Sequence, residues 1–374
     1  MRGRGQGDVI PFLDMKAVYA ELKPELDAAY FRVMESGWFV LGREVEAFEA
    51  EYAAFCGTKH CVGLGNGLEA LELVLRAWDL GPGDEVIVPS NTYIATWLAV
   101  TAVGAKIVAV EPTPAGPNID PDRIAAAITP RTKAIMPVHL YGEPADMEAI
   151  MALAGRHGLK VIEDVAQAQG ARVRGRRTGA LGHAGAHSFF PSKNIGAIGD
   201  GGAVTTDDAL LAERLRVLRN YGSRVKYVNI ERGYNSRLDE LQAAFLRVKV
   251  PRLDAWNERR RALAARYTDK LAGIPGLGLP RAPQWAEPVW HLYVVRTQRR
   301  AELVKALDKA GIATLIHYPI PPHLQQAYAD LGWPAGTFPL AETLAETVLS
   351  LPMGPHMKPE AVDEVAAALR AVLS

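Results

Sequence analysis

Lys193 sits in Ser188-Phe189-Phe190-Pro191-Ser192-Lys193-Asn194, where an apolar, strand-like run ends in a Pro-Ser-Lys turn. A glycine-rich stretch from Gly196 to Gly202 follows. A lysine at such a strand end is drawn out of water. Desolvation lowers an amine's pKa and frees it for Schiff-base chemistry. A lone loop lysine is more often simply hydrated, so Lys193 needs a partner before it means anything. Asp164, at the end of the run Leu159–Asp164, is the candidate. A carboxylate closing a buried strand needs a cation, either a structural arginine or a cationic ligand nitrogen. Together, an amine and an acid placed in this way suit pyridoxal phosphate (PLP), which needs a lysine for its aldehyde and an acid facing its ring nitrogen.

A third feature is Gly63-Leu64-Gly65-Asn66-Gly67-Leu68-Glu69, a glycine turn that follows a short apolar run and opens a helix. Free N–H groups and the positive end of the dipole at a helix start suit a phosphate. The dinucleotide fingerprint is not matched, because Leu68 stands where its third glycine would be, and there is no Walker lysine. The same segment also reads as an ordinary strand-to-helix turn.

These residues need a frame, and the pattern around them supplies one. Val86–Pro89, Ile107–Val110, Ala134–Val138 and Val161–Asp164 read as buried strands. Glu69–Trp78, Tyr93–Val103, Pro121–Ala127 and Met147–Gly155 read as helices. The alternation predicts an α/β fold with a parallel sheet covered on both faces. Ligands of such sheets sit beyond the C-terminal strand ends, here Ser90-Asn91-Thr92, His139-Leu140-Tyr141 and Asp164 to Gln167. A helix from Asp207, its cap, to Arg219 follows, with Gly222 as its stop. Leu238–Arg261 reads as a long helix interrupted near Pro251. Beyond it comes a second αβ pattern, with a strand at Trp290–Arg296 and helices at Glu302–Ala310 and Glu360–Leu373. A large unit over 1–250 and a smaller α/β unit over 251–374 are expected, the N-terminal arm of about 1–35 packing with the small one.

The chain has 374 residues, 49% hydrophobic and 22% charged, enough for a sizeable core. Lys plus Arg and Asp plus Glu are both 42. That balance argues against a nucleic-acid partner. Cys56 and Cys61 are too few for a disulfide framework and lack a second ligand pair for zinc, so reduced thiols and no metal are expected. Met1–Gly7 has charge but no apolar run behind it, and no stretch is long enough to span a bilayer. A soluble cytoplasmic protein is the expectation.

The motifs, taken together, resemble the DegT/DnrJ/EryC1/StrS family of PLP-dependent nucleotide-sugar aminotransferases, of the aspartate-aminotransferase fold (PLP fold type I). The resemblance rests on Gly65 to Leu71, Val88 to Thr96, Pro137 to Gly142, Glu163 to Ala168, Ser188 to Asn194 and Tyr234 to Glu240, in that order, and covers nearly the whole chain. It implies that Lys193 holds PLP as a Schiff base and that Asp164 pairs with the pyridine nitrogen. It further implies that Gln167 contacts the ring's 3-oxygen and that Tyr93 stacks on the ring. Ser188 and the N–H groups of Gly67 and Leu68 would hold the phosphate, and Asn235 would reach it from a neighbouring subunit. Many relatives have Thr-Asp where this chain has Leu68-Glu69, so contact at 68 is through backbone alone.

His317 and Tyr318 resemble a segment lining the sugar pocket, with core packing as the other reading. Tyr221 belongs with a loop of the same resemblance, His187 reads as structural, and Trp38-Phe39 could flank the mouth of the site. The implied reaction is transfer of an amino group from L-glutamate to the C3 ketone of a dTDP-linked 3-keto-6-deoxyhexose, by a homodimer with shared sites. Amination at C4, a sugar dehydratase and a non-catalytic regulator are the alternatives. Dehydratase relatives have histidine in place of the lysine, and Lys193 argues against that reading.

Overall fold

A computed structural model describes residues 9–373. The Met1–Gly7 segment and the beginning of the N-terminal arm lie outside the described residues. The centre is a seven-stranded sheet of β1 (His60–Leu64), β2 (Glu85–Pro89), β3 (Lys106–Val110), β4 (Thr132–Ile135), β5 (Lys160–Asp164), β6 (Ala184–Ser188) and β7 (Gly202–Thr206), in the order β1-β7-β6-β5-β4-β2-β3. The run β6-β5-β4-β2-β3 is parallel throughout. β7 is antiparallel to both its neighbours, pairing Ser188 with Gly202 and Cys61 with Thr205. The sheet is therefore mostly parallel, with one strand reversed. A parallel return needs a crossover, usually a helix. Residues 189–201 carry turn residues instead, so the chain doubles back directly.

Residues alternate between two apolar faces along the buried strands, as both-sided burial requires. On one face Val86, Val88, Ile162 and Val204 pack under α3 (Gly67–Ala77), α4 (Ile94–Val103) and α7 (Ala209–Leu218). On the other face Ile87, Ile135 and Val161 pack with α5 (Pro121–Ala127) and α6 (Met147–His157). Each such side chain contributes about 1.5–3 kcal/mol by leaving water. Asp208, rather than the expected Asp207, caps α7 by accepting from Leu210 and Leu211 N–H; Asp207 accepts from Lys59 N–H instead. Cys56 and Cys61 are free and buried, and burial pushes the Cys56 thiol up to about 12, so it is unreactive.

The expected long helix over 238–261 is two, α8 (Glu240–Lys249) and α9 (Leu253–Leu271), joined by a tight turn at Val250–Arg252 that contains Pro251. With α10 (Arg300–Lys309), α12 (Pro359–Leu373) and the strand pair β8 (Tyr293–Arg296) and β9 (Val348–Leu351), α9 builds a second core around Tyr267, Tyr293, Leu307 and Leu369, and Leu344 of α11 (Pro339–Thr347) packs on Leu292, Val294 and Val348 beside it. The N-terminal arm divides its contacts. Ile10 pairs with Ile312 and Phe12 packs on Leu292 and Val294. The following helix, Met15–Ser36, lays Leu22, Leu26, Ala29 and Val33 on Ala244, Phe245 and Trp256. No helix among the described residues is long and apolar enough to cross a membrane.

Candidate active site

The chemistry gathers at the C-terminal ends of β1, β5 and β6. β1 runs into Gly65-Asn66, and Asn66 caps α3 by accepting from Glu69 N–H at 2.9 Å. A Cβ on Gly67 would lie 2.7 Å from Ser188 Cβ and 3.2 Å from Ser188 Cα. Only glycine lets the start of α3 approach the end of β6 so closely. The N–H groups of Gly67 and Leu68 belong to the first turn and have no intrahelical acceptor. The Leu68 side chain packs against the core, which leaves its N–H as the polar group it offers.

Asp164 ends β5 and is 6% exposed. Its Oδ2 accepts from Thr96 Oγ1 at 3.0 Å and its Oδ1 from Ala166 N–H at 3.1 Å. Burial pushes the carboxyl up, opposed by these bonds and by the nearby Lys193 charge. Lys193 lies in the turn after β6, where its N–H donates to Phe190 carbonyl at 2.9 Å. Burial pushes its amine down to about 8, with the Asp164 charge acting in the opposite direction. The site therefore holds an amine that loses its proton far more readily than a lysine in water, facing a buried carboxylate.

Gln167 links this pair to the opposite wall. Its Oε1 accepts from Tyr141 N–H at 2.7 Å and its Nε2 donates to Tyr318 Oη at 2.9 Å. Tyr141 Oη donates to the His317 carbonyl. The Tyr93 ring is exposed and lies 5.2 Å from that of Tyr318, tilted by 35°. His317 Nδ1 is 2.8 Å from Ser350 Oγ, and burial, with the Lys193 charge second, pushes the ring down to about 4. His317 and Tyr318 thus join the lysine side of the molecule. An acid, an amine of lowered basicity and an anion cradle stand together, the set that PLP requires, and the residues present fit that group.

Tyr221 and Asn235 lie on a separate exposed loop. They share one loop, bridged at Asn220 and Asn235 and by Tyr221 N–H donating to Tyr234 carbonyl, and both are exposed. The Arg237 guanidinium lies 5.4 Å from the Tyr221 ring centre. Ser236 pins the loop base to the glycine turn, accepting from Gly65 N–H at 3.1 Å and donating to Glu69. His187 is structural as expected, held between Tyr52 and Thr205, with burial pushing it down to about 3. Trp38 and Phe39 are exposed.

Several supporting residues have partners that the sequence does not reveal, even where they fall inside the motifs. Thr96 touches Asp164 across 68 positions, and Tyr141 touches Gln167 across 26. Lys249, buried, donates to the Gly196 carbonyl behind the lysine turn, and burial pushes its amine down to about 8. Asn194 falls inside the lysine motif, and its bonds run to distant parts of the chain.

An aspartate-aminotransferase-like sheet with a lysine beside a buried acid defines a PLP-dependent enzyme. The chain belongs to the DegT/DnrJ/EryC1/StrS aminotransferase family, whose model matches residues 21–370. It is 58% identical, over 97% of its length and 99% of the relative's, to the Erythromycin biosynthesis sensory transduction protein EryC1 of Saccharopolyspora erythraea. It is also 58% identical to dTDP-3-amino-3,4,6-trideoxy-alpha-D-glucose transaminase of Streptomyces venezuelae, over 97% of this chain and 96% of the relative. Among solved structures, S. venezuelae DesV in complex with a ketimine intermediate superposes with a TM-score of 0.96 at 57% identity, covering 98% of each chain. The protein is an aminotransferase, and its cofactor is PLP.

Proposed function

We propose that this enzyme transfers an amino group from L-glutamate to the C3 ketone of a dTDP-linked 3-keto-6-deoxyhexose, giving a dTDP-3-amino-3,6-dideoxyhexose. The observation that carries the reading is the desolvated Lys193 amine facing the buried Asp164 carboxylate. The 58% identity to a transaminase named for a 3-amino dTDP-sugar supports the position and the nucleotide. PLP, when bound, supplies an electron sink for a substrate carbanion.

The chain's own residues do the rest. Lys193 Nζ would hold the cofactor, and its amine, when free, would take and return a proton at the substrate carbon. Burial lowers the basicity of that amine in the cofactor-free chain, which suits both directions of transfer. Asp164, held by Thr96 and Ala166, keeps the ring nitrogen protonated. Gln167, held by Tyr141 and Tyr318, meets the 3-oxygen, and Tyr93 covers the ring. Ser188 and the N–H groups of Gly67 and Leu68 take the phosphate. Tyr318, His317 and, from a loop of its own, Tyr221 contact the sugar. The acting unit is a homodimer, Asn235 crossing to the partner's phosphate. Exposed apolar side chains on the Asn235 loop and before α2 (Arg43–Cys56), among them Tyr227, Ile230 and Trp38, support such a contact surface. The second core around Tyr267, Leu307 and Leu369 supports a smaller C-terminal unit, while Leu253, Trp256, Val289 and Tyr328 pack into the clusters of the large one. Two free, buried thiols fit a cytoplasmic setting.

The reading is tested in halves. Glutamate added to the PLP-loaded enzyme without sugar should release one oxoglutarate per active site and bleach the lysine-borne visible band. No release, with the band intact, contradicts glutamate as donor.

A further inference from the structure

The residue after the lysine is tied into a hydrogen-bond network that joins the lysine turn to α9. Asn194 is 3% exposed. Its Nδ2 donates to Asn257 Oδ1 at 2.8 Å and to the Val289 carbonyl at 3.1 Å. Both amide protons are thereby used, which fixes the orientation of the amide and leaves Oδ1 as a pure acceptor. The contact of 3.1 Å between His291 Nδ1 and Asn194 Oδ1 therefore has the histidine as donor. Burial, with the nearby Lys193 and Arg260 charges, holds His291 well below its ordinary pKa, consistent with a neutral ring carrying its proton on Nδ1.

The network continues to the other cofactor-side residues. Asn257 Nδ2 donates to the Gln169 carbonyl at 3.0 Å. Gln169 Nε2 donates to the Ser188 carbonyl at 2.7 Å and to the Ala166 carbonyl at 3.2 Å. Arg260, one turn along α9 from Asn257, donates to the Trp290 and His291 carbonyls at 3.2 and 3.3 Å. The links among Asn194, Asn257, His291 and the Val289 and Gln169 carbonyls are buried, where a polar group that loses its partner carries its full desolvation cost. The network thus touches the residue after Lys193, the backbone of Ser188 and the backbone of Ala166, the residue before Gln167.

We propose that Asn194, Asn257 and His291 form a positioning clamp that sets Lys193 against Asp164 and transmits the placement of α9 to the lysine turn. This rests on the PLP aminotransferase reading of the site. The three are positioning residues, since Asn194 and Asn257 act through the turn's backbone. A proton-transfer distance tolerates little displacement, so loosening the turn should fall on the chemical step rather than on substrate binding.

The test uses the PLP-loaded enzyme and the variants Asn194→Ala, Asn257→Ala and the double variant, with Asn257→Ser and Asn194→Ser as milder versions should an alanine variant fail to fold. Each single change is expected to lower kcat by about 10-fold or more while KM stays within about threefold. The pH midpoint of the visible lysine–PLP band is expected to move by at least half a pH unit. The double variant should be no worse than the poorer single one, since both break one chain of bonds. Additive losses, or lowered thermal stability with an unmoved band midpoint and unchanged kcat, would overturn the clamp. If the unaltered enzyme formed no lysine-borne band at all, the PLP reading itself would fall, and with it the clamp; a normal band in the parent with unmoved variants removes the clamp alone.

Discussion

Lys193 and Asp164 are a coupled pair in which burial acts on both charges at once. Burial pushes the amine down to about 8 and the carboxyl up, while each one's charge holds the other back. In the apoenzyme, condensation of Lys193 with a small aldehyde should therefore rise with pH through a midpoint near 8. A midpoint near 10.5 would show the amine to be hydrated. The linkage has a definite sign. A lysine with a lowered folded pKa binds fewer protons folded than unfolded between about 8 and 10.5, so its contribution to apoenzyme stability should increase as pH rises through that window. Lys193→Ala should keep the fold and abolish multiple turnover, as measured by oxoglutarate release with no amine added. Asp164→Asn should stay folded and lose about 10³-fold in kcat, about 4 kcal/mol, because an amide cannot hold a proton on the ring nitrogen. Near-parental turnover in Asp164→Asn would make that residue structural. Both residues are legible in the sequence, since each closes an apolar run. The partners of their supports are not. Thr96, Tyr141 and Asn257 meet their partners only after the sheet has brought distant strand ends together.

The elements differ in how openly the sequence declares them. The parallel strands and their covering helices follow from apolar runs separated by amphipathic stretches, and their boundaries agree closely at β2, β3 and α5. β7 does not declare its direction, because direction is set by what connects the strands. The glycine-rich turn between β6 and β7 is too poor in helix-forming pattern to cross over. The start of α3 is where an element meets the site most tightly. Gly67→Ala puts a methyl group into Ser188, so the helix must retreat from β6 and take its N–H groups with it. PLP affinity should fall at least tenfold, read by titrating the apoenzyme and following the visible band. Unchanged affinity would mean that the helix start takes no part in holding the phosphate. Asn66→Ala removes the cap on the same helix and should cost about 1 kcal/mol of stability.

At the scale of the whole molecule, two cores and an arm meet around one site, and Tyr221 and Asn235 are exposed on a loop whose base is tied to the glycine turn through Ser236. That exposure is what the proposal of a site shared with a second copy draws on. The sequence places Asn235 in the right motif, but no pattern within one chain records where a partner sits. Mixing inactive Lys193→Ala and Asn235→Asp chains should restore part of the activity in heterodimers. Failure to complement, with subunit exchange shown by mass, would contradict a shared site. The position of amination is likewise a property of the whole pocket. With Tyr318 and His317 on one wall, only one sugar carbon can come within about 3–3.5 Å of the reacting nitrogen. Turning the hexose to offer C4 would move its methyl group and its nucleotide elsewhere. The most direct measurement is therefore to incubate the PLP-loaded enzyme with glutamate and, in separate reactions, the 3-keto and 4-keto dTDP-6-deoxyhexoses, and to locate the new nitrogen by NMR. Nitrogen at C3 from the 3-keto sugar is the expected result; amination of the 4-keto sugar alone would contradict it.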